Sequence, residues 1–407
     1  MSKRLQGFSL PTVLVIAVLM ALLVLFALSL ADLDRRDYDR YHVRKQHVLD
    51  LHSAAALYRA DSTLLSASGD SVTVRLFGTP ESEVSLSVRP WGLYEVLDVS
   101  SRFLPFGYTA ICGKRLESRH EAALWVCDRR RPLSFAGNSV VEGCVFAPQS
   151  GVNYMEMDGV PFTGVPVQPS WMRVSIDRLP EVDSSAFLAA ELMRERAREA
   201  WYHLNVAEGH VDYSEPTSFV YGKGTDRKFR LSGNRVLYGD ELVIGPDSDL
   251  DGVLVFARTA VVEDGFRGRF QLFCTDSVTV RNNVSLLEPS GIFVSGHEHP
   301  YVSLGRKTEI EGYVIVLNQG REDQFLTYPC LHQADGGRIR GLVYVDGAAC
   351  LEGTVEGAAY LGDCFSLKGG DTYPGVMFNV SVKRPEDLVY PLLLTGPYRR
   401  REICKVF

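Results

Sequence analysis

Two stretches of this chain carry enough acid or histidine to attract a cation. DSDLDG opens like a calcium loop: Asp247, Asp249 and Asp251 fall on alternate residues, and Gly252 follows for a sharp turn. A complete loop would then want glutamate at its twelfth position, where Arg258 stands. HEHP, residues 297–300, groups two histidines with a glutamate, but that spacing on a strand or loop is a poor metal signature and reads as a polar turn. GKGTDRK, residues 222–228, lacks P-loop spacing and reads as a loop, and there is no G-x-S-x-G nucleophile elbow. The eight cysteines contain no C-x-x-C pair, so zinc-type spacing is absent and no cofactor is expected.

The elements that position these residues are mostly strands. Residues 70–131 alternate apolar and polar side chains between turn signals, which predicts a small antiparallel β region over about 63–131. Within it, YTAIC and ALWVC could flank a hairpin with its loop at 118–121. That register sets Cys112 across from Cys127, the leading disulfide candidates in an oxidising compartment; two buried free thiols are the alternative.

Beyond residue 132 the sequence repeats itself. ELVIGPDSDLDGVLVFA (241–257) and YVSLGRKTEIEGYVIVL (301–317) align without a gap, with glycine at the fifth and twelfth places. The second half of the unit returns as VEGCVFA, LDGVLVF, IEGYVIV, IRGLVYV and VEGAAYL. Short strands with a glycine at each corner predict a parallel β-helix, or β-solenoid, over 132–407, with a β-sandwich as the alternative. The arrangement resembles right-handed β-helix heads and, loosely, bactofilin-type repeats. The repeat also accounts for Asp251 and Gly252 as a coil corner, which leaves Asp247, Asp249 and Asp251 only a weak calcium candidate.

A helical insertion is expected at about 153–233. Its centre starts with a cap at Asp183 and Ser185, and Phe187, Leu188, Leu192, Trp201 and Leu204 are spaced for one helix face. Such a helix would cover an end or edge of the coils. Cys144, Cys274, Cys330, Cys350, Cys364 and Cys404 sit mostly within or beside coil motifs and read as core thiols, with Cys350 and Cys364 one conceivable pair.

The N-terminus differs from all of this. No charge interrupts the chain from Phe8 to Ala31, and these 24 residues as a helix would span roughly 36 Å, enough to cross a bilayer. Lys3 and Arg4 precede the run and predict a cytoplasmic N-terminus with the bulk outside. Ser29-Leu30-Ala31 offers a signal-peptidase site, but the apolar run exceeds the core of an ordinary secretory signal. Neither glycine nor proline interrupts the chain from Asp32 to Asp61, and Tyr38, Tyr41, Val48, His52 and Ala55 recur near helical spacing. One helix over about 8–62 therefore joins a membrane half to an amphipathic half.

A short basic leader (1–7) ending in Gly7, then Phe8, then a long helix with an apolar first half, resembles the N-terminus of type IV prepilins and type II secretion pseudopilins. The resemblance covers about the first 55 residues. It implies cleavage after Gly7 by a prepilin peptidase, methylation of the new terminal Phe8, and assembly with other pilin-like subunits and their machinery. It departs at the fifth mature residue, where the family's glutamate is replaced by Thr12. Without that carboxylate the resemblance implies a minor component, placed first or at the tip.

The chain has 43 Lys+Arg against 50 Asp+Glu, a net charge of -7, which argues against a nucleic-acid surface. The expectation is a non-enzymatic, membrane-anchored filament subunit whose head presents a binding surface. The alternative is a membrane-tethered or secreted β-helix protein that binds or degrades polysaccharide.

Overall fold

The computed structural model describes residues 9–60, 71–78, 80–116, 122–200, 208–224, 227–320, 329–385, 387–395 and 398–406. The chain is mainly β with one long N-terminal helix, α1 (Ser9–Ala60). Pro11 falls in its first turn, where its missing N–H costs nothing.

The last turns of α1 lie on an antiparallel sheet. Its strands are Ser71–Arg75, Glu83–Trp91, Tyr94–Ser100, Tyr108–Leu116 and, at the far edge, Tyr398–Val406. Leu51, Ala54, Ala55 and Tyr58 of α1 pack against Val84, Leu86, Val88, Leu97, Val99, Ala110 and Cys112. The buried face is thus His47, Leu51, Ala54 and Tyr58, a clean i, i+4, i+7, i+11 stripe. The expected stripe through Tyr38 and Tyr41 is not the packed one, since both are exposed. A polar pair, His47 and Asp50, belongs to the covered side and disguises it.

The predicted hairpin between YTAIC and ALWVC does not form. Tyr108–Leu116 is paired on both sides, by Tyr94–Ser100 and Tyr398–Val406, so Cys112 faces Glu95 and Glu402. Ala122–Val126 belongs to a different, parallel set. Cys112 therefore lies in the antiparallel sheet and Cys127 just past the end of a parallel strand, and all eight thiols are free.

That second set is one closed, mostly parallel group of strands. A single column of inward residues runs through it in register: Leu237, Val255, Leu272, Ile292, Val314, Val343, Ala359, Leu124, Val145 and Met172. The column forms part of the main core, and each fully buried Val or Leu in it contributes roughly 1.5–3 kcal/mol. The order is out of sequence: strand Thr354–Lys368 pairs with Ala122–Val126, so the segment entering first is stacked beyond the segment that ends the repeat. Val382, which follows Val355 in the ladder, then pairs with Val141.

Glycine sets the spacing of one corner. Gly312, Gly341 and Gly357 face one another across adjacent strands at φ of 143°, 143° and 159°. A Cβ on Gly341 would lie 1.8 Å from the carbonyl oxygen of Gly312, and one on Gly357 1.7 Å from that of Gly341. Only glycine permits this approach.

The outer side of the same strands is also covered. An aromatic ladder, Phe256, Phe273, Phe293, then Tyr344, Tyr360, Trp125 and Phe146, lies in a second core with the antiparallel sheet, the C-terminal segment and helix α2 (Ser184–Ala200). Burial on both faces is why these strands read as continuous apolar runs. Gln271 interrupts the runs for a reason. It accepts from the Leu93 amide and the Tyr313 hydroxyl, each at 2.9 Å, and donates to the Trp91 carbonyl at 2.9 Å, pinning the hairpin turn at 91–94.

Helix α2 starts as expected, with the Asp183 carboxylate accepting from the Ser185 amide at 3.0 Å. Its packed face matches the expected one at Phe187 but not at Leu188 or Leu192. Ala190 and Ala197 are buried with Phe187 and Met193 beside them, whereas Leu188 and Leu192 are 58% and 57% exposed. Small residues let α2 lie close to the ladder and turn the leucines outward; Trp201 and Leu204 lie outside the described residues.

Candidate functional site

The most unusual surface is the first half of α1. Val13, Leu14, Val15, Ile16, Leu19, Leu22, Leu25, Phe26 and Leu28 are all between 54% and 65% exposed, and no other described element covers them. An exposed apolar patch of this size marks an interaction surface rather than an ordinary water-facing one. This helix is long and apolar enough to cross a membrane. Past Ala31 the surface turns polar, with an Arg36–Asp32 pair at 2.6 Å in the next turn.

The other half of α1 is locked in place by a polar network at its last turn. Arg400, from the C-terminal strand, donates Nε to Glu95 at 2.6 Å, and both side chains are almost wholly buried. The guanidinium lies 4.5 Å from the ring centre of Tyr58. Next to it, Arg59 bonds Glu402 at 3.0 Å, and the Tyr108 hydroxyl donates to the same carboxylate. Burial pushes the Glu95 carboxyl above its ordinary range, and the attraction of Arg400 only partly offsets this. Burial, then the Glu95 charge, pushes the Tyr58 hydroxyl up in turn. These charges fix α1 to both the middle and the end of the chain, so the exposed half projects from a rigid base.

Between α2 and the sheet lies a cleft of about 730 Å³. The exposed Leu188 and Leu192 form one wall; Trp91, Leu392 and Tyr398 form the other, and Arg89, Lys114, Arg196 and Arg400 outnumber the acids Glu95 and Asp183 in the lining. Lys114 Nζ donates to the carbonyls of Leu392 and Leu394 at 2.8 and 3.1 Å and lies 4.2 Å from the Tyr398 ring centre. Burial lowers its pKa. With Glu95 held by Arg400 and Lys114 by two carbonyls, this cleft offers shape and charge rather than a poised acid–base pair. The sequence pattern missed it by assigning the two leucines to the packed face.

The sequence-derived candidates are dispersed. Gly7 and Phe8 lie outside the described residues, and Thr12 is exposed at the apolar end of α1. Asp247, Asp249 and Asp251 are exposed at a corner where Gly252 has φ of 73°, and Asp251 is bonded to Arg269 at 3.3 Å. His297 of the HEHP turn contacts the Gln319 carbonyl at 3.2 Å. Cys274, Cys330 and Cys364 pack in the main core, and Cys144 is buried outside it. No protein-family model, curated protein or solved structure matches this chain.

Proposed function

We propose that this chain is a minor pilin-like or pseudopilin-like subunit of a type IV pilus or type II secretion-like filament. The observation that carries the reading is the division of α1: an unbroken 52-residue helix whose apolar half is bare and whose polar half is seated on an antiparallel sheet. A plain membrane anchor would need no rigid continuation into the head. A filament subunit needs one, because the bare half must pack beside its neighbours at a fixed angle to the head. In this reading a prepilin peptidase removes residues 1–7 and Phe8 is methylated. The helix then holds the precursor in the cytoplasmic membrane, N-terminus inside, until it joins other pilin-like subunits.

The parallel set is, in the same proposal, a β-solenoid head. Its support is the one-directional register of the inward column and the glycine ladder at the corner. The head recognises a partner and performs no catalysis, and the cationic, leucine-walled cleft is its first candidate surface. The test is a photo-activatable side chain at Leu22 in intact cells. Cross-links to the apolar helix of another pilin-like subunit are expected; adducts with lipid alone would reject assembly.

A further inference from the structure

The strand Pro329–Gln333 runs parallel to Arg338–Leu351, with His332 directly opposite Cys350. Leu331, Ala349 and Leu351 fill the main core, so His332 and Cys350 point away from it on the alternating side. Glu352 follows two residues after Cys350, and its amide donates to the Gln333 carbonyl at 3.0 Å. One imidazole nitrogen, one sulfur and one carboxylate oxygen thereby converge, all within 4.8 Å of one another. The Cys350 sulfur is 4.0 Å from Glu352 Oε1.

We propose that His332, Cys350 and Glu352 form a binding site for a divalent, borderline-soft cation of the zinc type. The donor set suits it: sulfur and imidazole select against calcium and magnesium, and the carboxylate completes three protein ligands. Tetrahedral coordination at ~2.0–2.3 Å sets ligand atoms roughly 3.3–3.8 Å apart, so small side-chain rotations close the shell. Cys350 is fully buried while His332 and Glu352 are half-buried, leaving the fourth position to water from the solvent side. On binding, the thiol proton passes to solvent as the metal–sulfur bond forms. The ion would clamp two successive turns of the parallel set, and the inference does not depend on the filament reading.

The test uses the full chain in detergent, stripped of metal and titrated with Co2+. A thiolate-to-cobalt charge-transfer band in the near ultraviolet, saturating at one ion per chain, is expected. Cys350→Ser should abolish the band. Glu352→Gln and His332→Ala, both at half-buried positions that leave the core intact, should weaken binding at least about tenfold. Absence of the band, or its persistence in Cys350→Ser through one of the other seven thiols, would overturn the proposal.

Discussion

Leu22 and Asp50 lie on the same helix in reversed circumstances: the leucine is 56% exposed and the aspartate 2%. Along α1, burial follows the presence of a facing surface rather than the polarity of the residue. The sheet accepts Asp50 because Gln46 Nε2 donates to its Oδ1 at 3.0 Å, and His47 because it stacks on Phe103 at 4.7 Å. The apolar half meets no other described element, and in the function proposed above its partner is external. One end is a finished interface, the other an unfinished one.

Mutations at the two ends should behave accordingly. The largest expected effect is at the buried base. Arg400→Met leaves the Glu95 carboxylate without its partner and should cost about 3–5 kcal/mol in denaturant unfolding. Glu95→Gln should cost less, because the amide oxygen still accepts from the guanidinium. The same pair predicts a pH dependence. A carboxyl raised in the folded state binds its proton more tightly there than in the unfolded chain. Its stabilisation is complete below the unfolded value and is lost as pH rises through the folded one. Wild-type stability measured against Glu95→Gln should therefore fall with rising pH; a rise would contradict the burial argument.

A smaller effect is expected at the helix–sheet contact. Ala54 is fully buried against the strands, so Ala54→Leu overpacks the interface and should cost about 1–3 kcal/mol by the same assay. The smallest effect belongs to the exposed half. Asp32→Asn removes a solvent-exposed i,i+4 pair with Arg36 and should shift stability by less than about 0.5 kcal/mol. If the Asp32 variant unfolded as readily as the Ala54 variant, the contrast between the two halves would fail.

Much of this was legible in the sequence, and the exceptions share a cause. The long helix, its end near Tyr58 and the glycine-phased strands follow from local spacing, and Gly312, Gly341 and Gly357 indeed face one another. What could not be read is which remote segment supplies the neighbour. Residues 122–126 look like the second arm of a hairpin with Cys112, yet they stack on Thr354–Lys368, because any parallel edge with apolar alternation accepts either partner. The Tyr398–Val406 strand takes the vacated place beside Cys112. On α2, leucine marked the wrong face because alanine was needed for close approach, and the leucines went to the cleft instead. His332, Cys350 and Glu352 were invisible for the same reason: an eighteen-residue separation becomes adjacency only once the strand register is set.

In the proposed function, the bare half of α1 begins a mature, processed filament subunit. The most direct test is the mass of the N-terminal peptide from protein extracted from its native membranes. Prepilin-type processing predicts a chain beginning at Phe8 with one added methyl group. A chain beginning near Asp32, or at Met1, would contradict it.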